Sequence, residues 1–351
     1  GMFLSLYDED RWPSGAAGGI VTDDKRYRQR FIVMRTAPTE ATEDYDYAYE
    51  NAETYYIAEF NVALDKCGRL LSYQRTKEPP KGNETKWYVY SETQAPDSWF
   101  NNRTYLDTLS KKAADKFIEV TYDGYKKAVG NYFGGLIQSI FTDEPQFARK
   151  GNLSFAAAAE DVKMPWTMEF DRLFEERYGF RITDRLPELF WELAGGNVSK
   201  ARYLYHDFST ELFCEAFMYN CGKWCERNGI DLTGHMLCEE SLYSQASTIG
   251  EAMRAYKHFG IPGIDILCDS HEYTTAKQAQ SAVHQYAREG MMSELYGVTG
   301  WDFDFRRHKA QGDWQAALGV TLRVLSVSWV SMKGSAKRDY PTSVNYQSSW
   351  Y

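Results

Sequence analysis

Strand-sized apolar runs alternate with helix-sized amphipathic ones through most of this chain, and that alternation restricts the fold more than any other feature. Residues 86–92 read as a strand, and 106–129 as a helix with Leu106, Leu109, Ala113, Phe117 and Val120 on one side. Residues 136–141 form an apolar strand halted by Pro145, which has no N–H for a ladder. A mainly helical stretch runs from about 164 to 228, broken near Pro187 and Gly195-Gly196. Strands at 230–237, 264–267, 291–296 and 323–329 then alternate with helices at 249–258, 275–288 and 309–318. Repeated β-then-α units require parallel strands joined by crossover helices. With the opening strand at 2–7, seven barrel strands are recognisable. The fold expected is an α/β (β/α)₈ TIM barrel occupying residues 1–351, its first strand upstream of Gly1 and its closing helix beyond the last residue.

One barrel takes roughly 250 residues, so 351 leave room for an insertion. Residues 27–85 supply it. The stretches 30–34, 54–64 and 69–75 are rich in β-branched and aromatic residues and are joined by turn residues, as in an antiparallel sheet. Pro79-Pro80 followed by Gly82 closes the insertion.

The net charge of −9, with basic residues scattered, repels phosphate backbones and argues against nucleic acid. No long apolar run is present and mean hydropathy is −0.56, which argues against a membrane. The start of the chain, with acidic residues from Asp8 onward, lacks the form of a signal peptide. Cys214, Cys221 and Cys225 fall on one helix face and read as buried thiols rather than metal ligands or disulfides. Together these features suit a cytoplasmic protein. Aromatic residues make up 16% of the chain, more than its core requires, and sugars present C–H faces that stack on such rings.

Barrel chemistry gathers at the C-terminal ends of the strands. Here those ends carry Tyr7 and Asp8, Glu92, Asp143 and Glu144, His235 with Glu239 and Glu240, Asp265, Glu294, and Trp329. So many acids after successive strands suit glycoside hydrolysis, which uses one protonated carboxyl to donate to the leaving oxygen and one carboxylate as nucleophile or base. Glu144, after an apolar strand, is the candidate acid. Side chains alternate along a strand, so Asp143 is expected to turn away, toward backbone or an arginine. Glu294, at the end of another apolar strand, is the second carboxylate; the bland alternative is a pairing with Arg306 or Arg307. Glu239 is a third catalytic candidate, able to replace either. Tyr7, Asp8, Glu92, His235, Glu240, Asp265, Trp301, Asp302 and Trp329 are candidate substrate contacts. The histidines show no HExxH and no close pair, so no metal ligand is assigned. The Gly15, Gly18 and Gly19 cluster lacks a dinucleotide-binding spacing.

Five motifs occur in order: Tyr7-Asp8-Glu9-Asp10-Arg11-Trp12-Pro13-Ser14-Gly15, Phe141-Thr142-Asp143-Glu144-Pro145, Gly234-His235 with Glu239, Ile261-Pro262-Gly263-Ile264-Asp265, and Lys309-Ala310-Gln311-Gly312-Asp313-Trp314. This set resembles bacterial glycoside hydrolases similar to the α-L-rhamnosidases of family 106 and, more distantly, to the clan A barrels. The resemblance implies carbohydrate metabolism, with an acid after the fourth strand and a carboxylate after the seventh, matching Glu144 and Glu294 if one strand precedes Gly1. Clan A enzymes carry Asn where this chain has Asp143. Family 106 enzymes invert configuration and use Ca²⁺ near the sugar; only the resemblance brings calcium in, and no other cofactor is expected. Two further readings stay open: a carbohydrate-binding barrel or glycosidase fragment without catalysis, and a metal-dependent lyase or aldolase.

Overall fold

The computed structural model describes residues 4–326. In chain order its strands are β1 (Leu4–Tyr7), β2 (Arg30–Arg35), β3 (Tyr55–Leu64), β4 (Leu70–Arg75), β5 (Thr85–Thr93), β6 (Ile137–Asp143), β7 (Val162–Trp166), β8 (Asp231–His235), β9 (Ile261–Ile266), β10 (Met292–Leu295) and β11 (Leu322–Leu325). They make two sheets. Six strands run parallel in the order β1-β6-β8-β9-β10-β11, and five run antiparallel in the order β4-β3-β5-β2-β7.

The architecture is therefore mixed α/β, and the parallel sheet holds six strands among the described residues, fewer than the seven read from the sequence. The difference lies in residues 86–92. Expected as a barrel strand, they sit inside β5, between β3 and β2 in the antiparallel sheet, while β1 pairs directly with β6. Burial explains this. Trp87 and Val89 are buried while their neighbours Lys86 and Tyr88 are only partly so, the alternation of a strand with one wet face. In β6, by contrast, all residues but Gln138 are buried, as a strand covered on both faces requires. The expected antiparallel sheet is present but reaches further, to Thr93, and takes in β7, whose residues from Met164 on are expected to be helical. Pro165 lies in β7, and it is tolerated there because β7 is an edge.

Helices connect the parallel strands. Lys111–Val129 precedes β6 and starts at the Ser110 side chain, which accepts from the Ala113 N–H. Lys200–Phe213 starts at Ser199 and runs through a π turn, Cys214–Tyr219, into Asn220–Arg227. Phe305–Ala317 is capped by Asp304. These caps satisfy N–H groups that a first helical turn leaves without partners. The helix expected at 249–258 is shorter, Ala252–Tyr256, and follows a separate one, Leu242–Thr248. Between them Gly250 takes a left-handed φ of +85°.

One core joins the parallel sheet, these helices and the inner face of the antiparallel sheet, with Phe117, Tyr122, Phe213 and Phe217 fully enclosed and Phe60, Trp87 and Val89 in the same cluster. Cys214, Cys221 and Cys225 are buried free thiols within it. No helix among the described residues is long and apolar enough to cross a membrane.

The closest backbone approach in the parallel sheet is at Gly234, which pairs with Thr142 across β6 and β8. Its φ is +127°, and a Cβ there would lie 1.9 Å from the Thr142 carbonyl oxygen. We expect Gly234→Ala to cost roughly 3 kcal/mol or more, through both backbone strain and strand separation. Urea unfolding of the two proteins measures the difference.

Candidate functional site

Register brings the chemically active side chains to one edge of the parallel sheet. Asp143 stands opposite His235, Asp265 opposite Glu294, and Tyr7 opposite Phe141, all at or near the C-terminal ends of their strands. Glu144 follows β6 directly. Its φ of +48° is left-handed, a conformation few non-glycine residues adopt. This kink breaks the strand alternation. Asp143 therefore does not turn away to backbone or an arginine, as expected, but shares the site with Glu144.

At the centre is His235, wholly buried. Its Nε2 lies 2.9 Å from Glu294 Oε2 and 3.9 Å from Asp143 Oδ1. Its Nδ1 is enclosed with no hydrogen-bond partner among the described residues. Burial alone would drive the imidazole neutral; the hydrogen bond that Nε2 donates to Glu294 and the charges of Asp143 and Glu294 overcome it and hold His235 above its ordinary value. The imidazole acts back on Glu294. Burial opposes ionisation there too, yet the bond and charge of His235 keep this carboxylate below its usual range.

Glu144 is governed by the opposite balance. Burial pushes it up to about 7, only partly offset by His235 and reinforced by the Asp143 charge. Trp12 Nε1 donates to Glu144 Oε2 at 2.6 Å, and the Glu144 amide donates to the His235 carbonyl at 3.3 Å. Asp265 is also driven well up, by burial first and then by Glu294, Glu144 and Asp143 against the pull of His235. The site thus sets a carboxyl with raised proton affinity and one with lowered proton affinity at a single histidine.

The outer rim adds a second carboxyl pair. The Tyr7 hydroxyl donates to Asp143 Oδ2 and lies 2.9 Å from Glu9 Oε2. A phenol has one proton to give, so Glu9 needs its own; burial and the Asp143 charge push Glu9 up to about 9. Glu9 and Trp12 stand within the first of the five sequence motifs but are not among the site residues read from the sequence. The signal available was their place in the loop after β1, at the same sheet end as Glu144.

Other sequence candidates lie differently. Glu92 is in β5 and pairs with Arg35 at 2.6 Å, an ion pair of the antiparallel sheet and not a strand-end ligand of the parallel one. Asp8 is buried, accepting from Ser14 Oγ and, at 2.7 Å, from the Tyr122 hydroxyl, so it fastens its own loop. Glu239 is likewise buried and turned inward, taking the Tyr256 hydroxyl and the Met236 N–H. Glu240 is exposed. Asp302 forms an exposed ion pair with Arg307 at 3.3 Å, and Trp301 is largely exposed in the same loop. It is Asp302, not Glu294, that engages Arg307. Trp329 lies outside the described residues.

Two groups of side chains bring one ligand atom each within 4.8 Å of one another: Asp143, His235 and Glu294, and Glu144, His235 and Asp265. Both include the His235 nitrogen. Calcium takes six to eight oxygen ligands, so a donor set built on imidazole does not suit it.

Glu239 gives a direct test of burial. Its carboxyl is pushed from 4.5 to about 8, by burial above all, so the folded chain retains this proton where the unfolded chain has lost it. The stability this contributes is fully present below about 4.5 and is lost as pH rises through about 8. We expect Glu239→Gln, which cannot ionise, to flatten the fall of Tm over that interval, as read by thermal melts at a series of pH values.

No protein-family model matches the chain, and no curated protein matches it. Among solved structures it is similar to a rhamnosidase from Novosphingobium sp. PP1Y, with a TM-score of 0.52 and 17% sequence identity. The match covers 74% of this chain and 26% of that one, so this chain spans about a quarter of the rhamnosidase's length. At that identity the likeness is one of fold.

Proposed function

We propose that this chain is the catalytic portion of a glycoside hydrolase, built on a (β/α)₈-type barrel and related to the family 106 α-L-rhamnosidases. The observation that carries the reading is the placement of two carboxyls at one histidine, Glu294 2.9 Å from His235 Nε2 and Glu144 within 4.8 Å of the same ring, with burial pushing Glu144 up to about 7 and His235 holding Glu294 below its ordinary range. Such a divergence between neighbouring carboxyls is how one site keeps an acid and a base ready at the same pH. The similarity in fold to a rhamnosidase supports the same class.

In this mechanism Glu144 protonates the departing glycosidic oxygen. Glu294 remains ionised against His235 and either attacks the anomeric carbon or takes a proton from the attacking water. Asp143 and Asp265 line the same strand ends, where sugar hydroxyls would meet them. Three strand positions separate Glu144 from Glu294 across the parallel sheet, the interval between a fourth and a seventh strand. The substrate proposed is a terminal or near-terminal sugar of a plant or host glycan, with α-L-rhamnosides the first to try.

A panel of 4-nitrophenyl glycosides tests the reading. Activity is expected to fall as pH rises through about 7, because Glu144 must carry its proton to act. Glu144→Gln should lower kcat about 10²–10⁴-fold, the usual worth of a general acid, and less for leaving groups acidic enough to depart unaided. Glu294→Gln should abolish turnover on every substrate. Sugar binding without turnover in the unsubstituted chain would instead mark a binding barrel.

A further inference from the structure

The loop that follows β1 folds back over the end of β6. Asp8 accepts from Ser14, the Ser14 amide donates to the Asp143 carbonyl at 2.9 Å, and Ser14 Oγ accepts from the Asp143 amide at 2.7 Å. This double clasp lies one residue before Glu144 and sets Trp12 against it. A second tryptophan comes from far along the chain. Trp99 sits in the short turn Ser98–Phe100, started by the Asp97 side chain, which accepts the Trp99 amide at 2.7 Å. Its ring nitrogen donates to the Trp12 carbonyl at 2.6 Å, and the Arg11 guanidinium lies 5.3 Å from its ring centre.

Both indole N–H groups are thus engaged and both rings are fixed, yet Trp12 is 41% and Trp99 48% exposed. Single exposed aromatics are ordinary on protein surfaces. Two that are hydrogen-bonded to each other and to a half-buried carboxyl are not, because rigid rings next to directional polar groups are what a sugar-binding surface requires. Trp12 occupies Glu144 Oε2, which leaves Oε1 for a substrate oxygen.

We propose that Trp12 and Trp99 form the stacking platform for the leaving group, the sugar or aryl ring that departs on the Glu144 side, with Trp12 also a positioning residue for that carboxyl. The proposal rests on the hydrolase reading, since it takes Glu144 as the acid. An acid must touch the glycosidic oxygen, so whatever that oxygen carries away lies beside the acid, and here that place is lined by the two indoles. The platform favours flat or pyranose leaving groups and is indifferent to the sugar held at the Glu294 side.

The test compares two substrates of the sugar the chain accepts: the 4-nitrophenyl glycoside and the glycosyl fluoride, which carries no ring on the leaving side. Trp99→Ala should lower kcat/KM for the aryl glycoside about tenfold more than for the fluoride, the scale of one aromatic contact. Equal losses on both would overturn the platform. Trp12→Phe keeps a ring but deletes the N–H that stabilises ionised Glu144, so the alkaline limb of the pH profile should move upward; an unmoved limb would overturn the positioning role. Should the unsubstituted chain cleave neither substrate, the hydrolase reading fails by itself. Titration with rutinose, a rhamnose–glucose disaccharide, then decides the platform: a tryptophan fluorescence change that Trp99→Ala removes upholds a sugar surface, and its absence in the unsubstituted chain overturns it.

Discussion

Buried His235 organises the acids gathered at the ends of the parallel strands. Without His235, the carboxyl groups of Asp143, Asp265 and Glu294 would face one another across the ends of β6, β9 and β10 with no imidazole between them. With it, Glu294 is held below its ordinary range, and the upward push of burial on Glu144 and Asp265 is partly offset. The backbone makes room for this ring at some cost. Gly234, the residue before His235, lies so close to Thr142 that only a hydrogen fits in place of a side chain, and Glu144 adopts a left-handed conformation one residue past the end of β6. Strain of this sort persists where surrounding contacts fix it, as the Trp12 and Ser14 hydrogen bonds do here.

The antiparallel sheet has a part in the same site. β5 delivers the chain to residues 94–109, which return to the parallel sheet through hydrogen bonds with the other layer: Gln94 N–H to the Gln29 carbonyl at 2.8 Å, and Gln29 N–H to the Tyr105 carbonyl at 3.0 Å. Tyr105 in turn donates to the Ser14 carbonyl at 2.6 Å. The insertion thereby buttresses the loop that holds Trp12 and presents Trp99 beside it. An element that looks peripheral in the strand order is a structural support for the candidate acid.

Much of this was legible in the residues, for physical reasons that also mark where legibility stopped. Continuous apolar runs ending in acids identified β6, β8, β9 and β10, and with them Glu144, His235, Asp265 and Glu294, because a strand covered on both faces leaves few other patterns. Residues 86–92 misled, since a run of aromatic and β-branched residues is equally a strand in either sheet, and pairing partners are set by contacts distant in sequence. The inward turn of Glu239 was hidden for the same reason: its partner Tyr256 lies on a later helix. Asp143 defied the alternation rule only because Glu144 leaves the extended region, which composition does not announce. Glu9 and Trp12 lay in a loop, where nothing periodic points to function.

The protonated carboxyls have a consequence for the heat and acidity of unfolding. Glu9, pushed up to about 9, and Glu239, pushed up to about 8, hold protons in the folded chain that solvent-exposed glutamates surrender at neutral pH, and Asp265 and His235 are shifted in the same direction. Lys150, lowered to about 7 by burial, works the other way. The balance favours release, so the denaturing chain acidifies its surroundings, and a calorimeter records an unfolding enthalpy that includes the ionisation heat of whichever buffer takes up those protons.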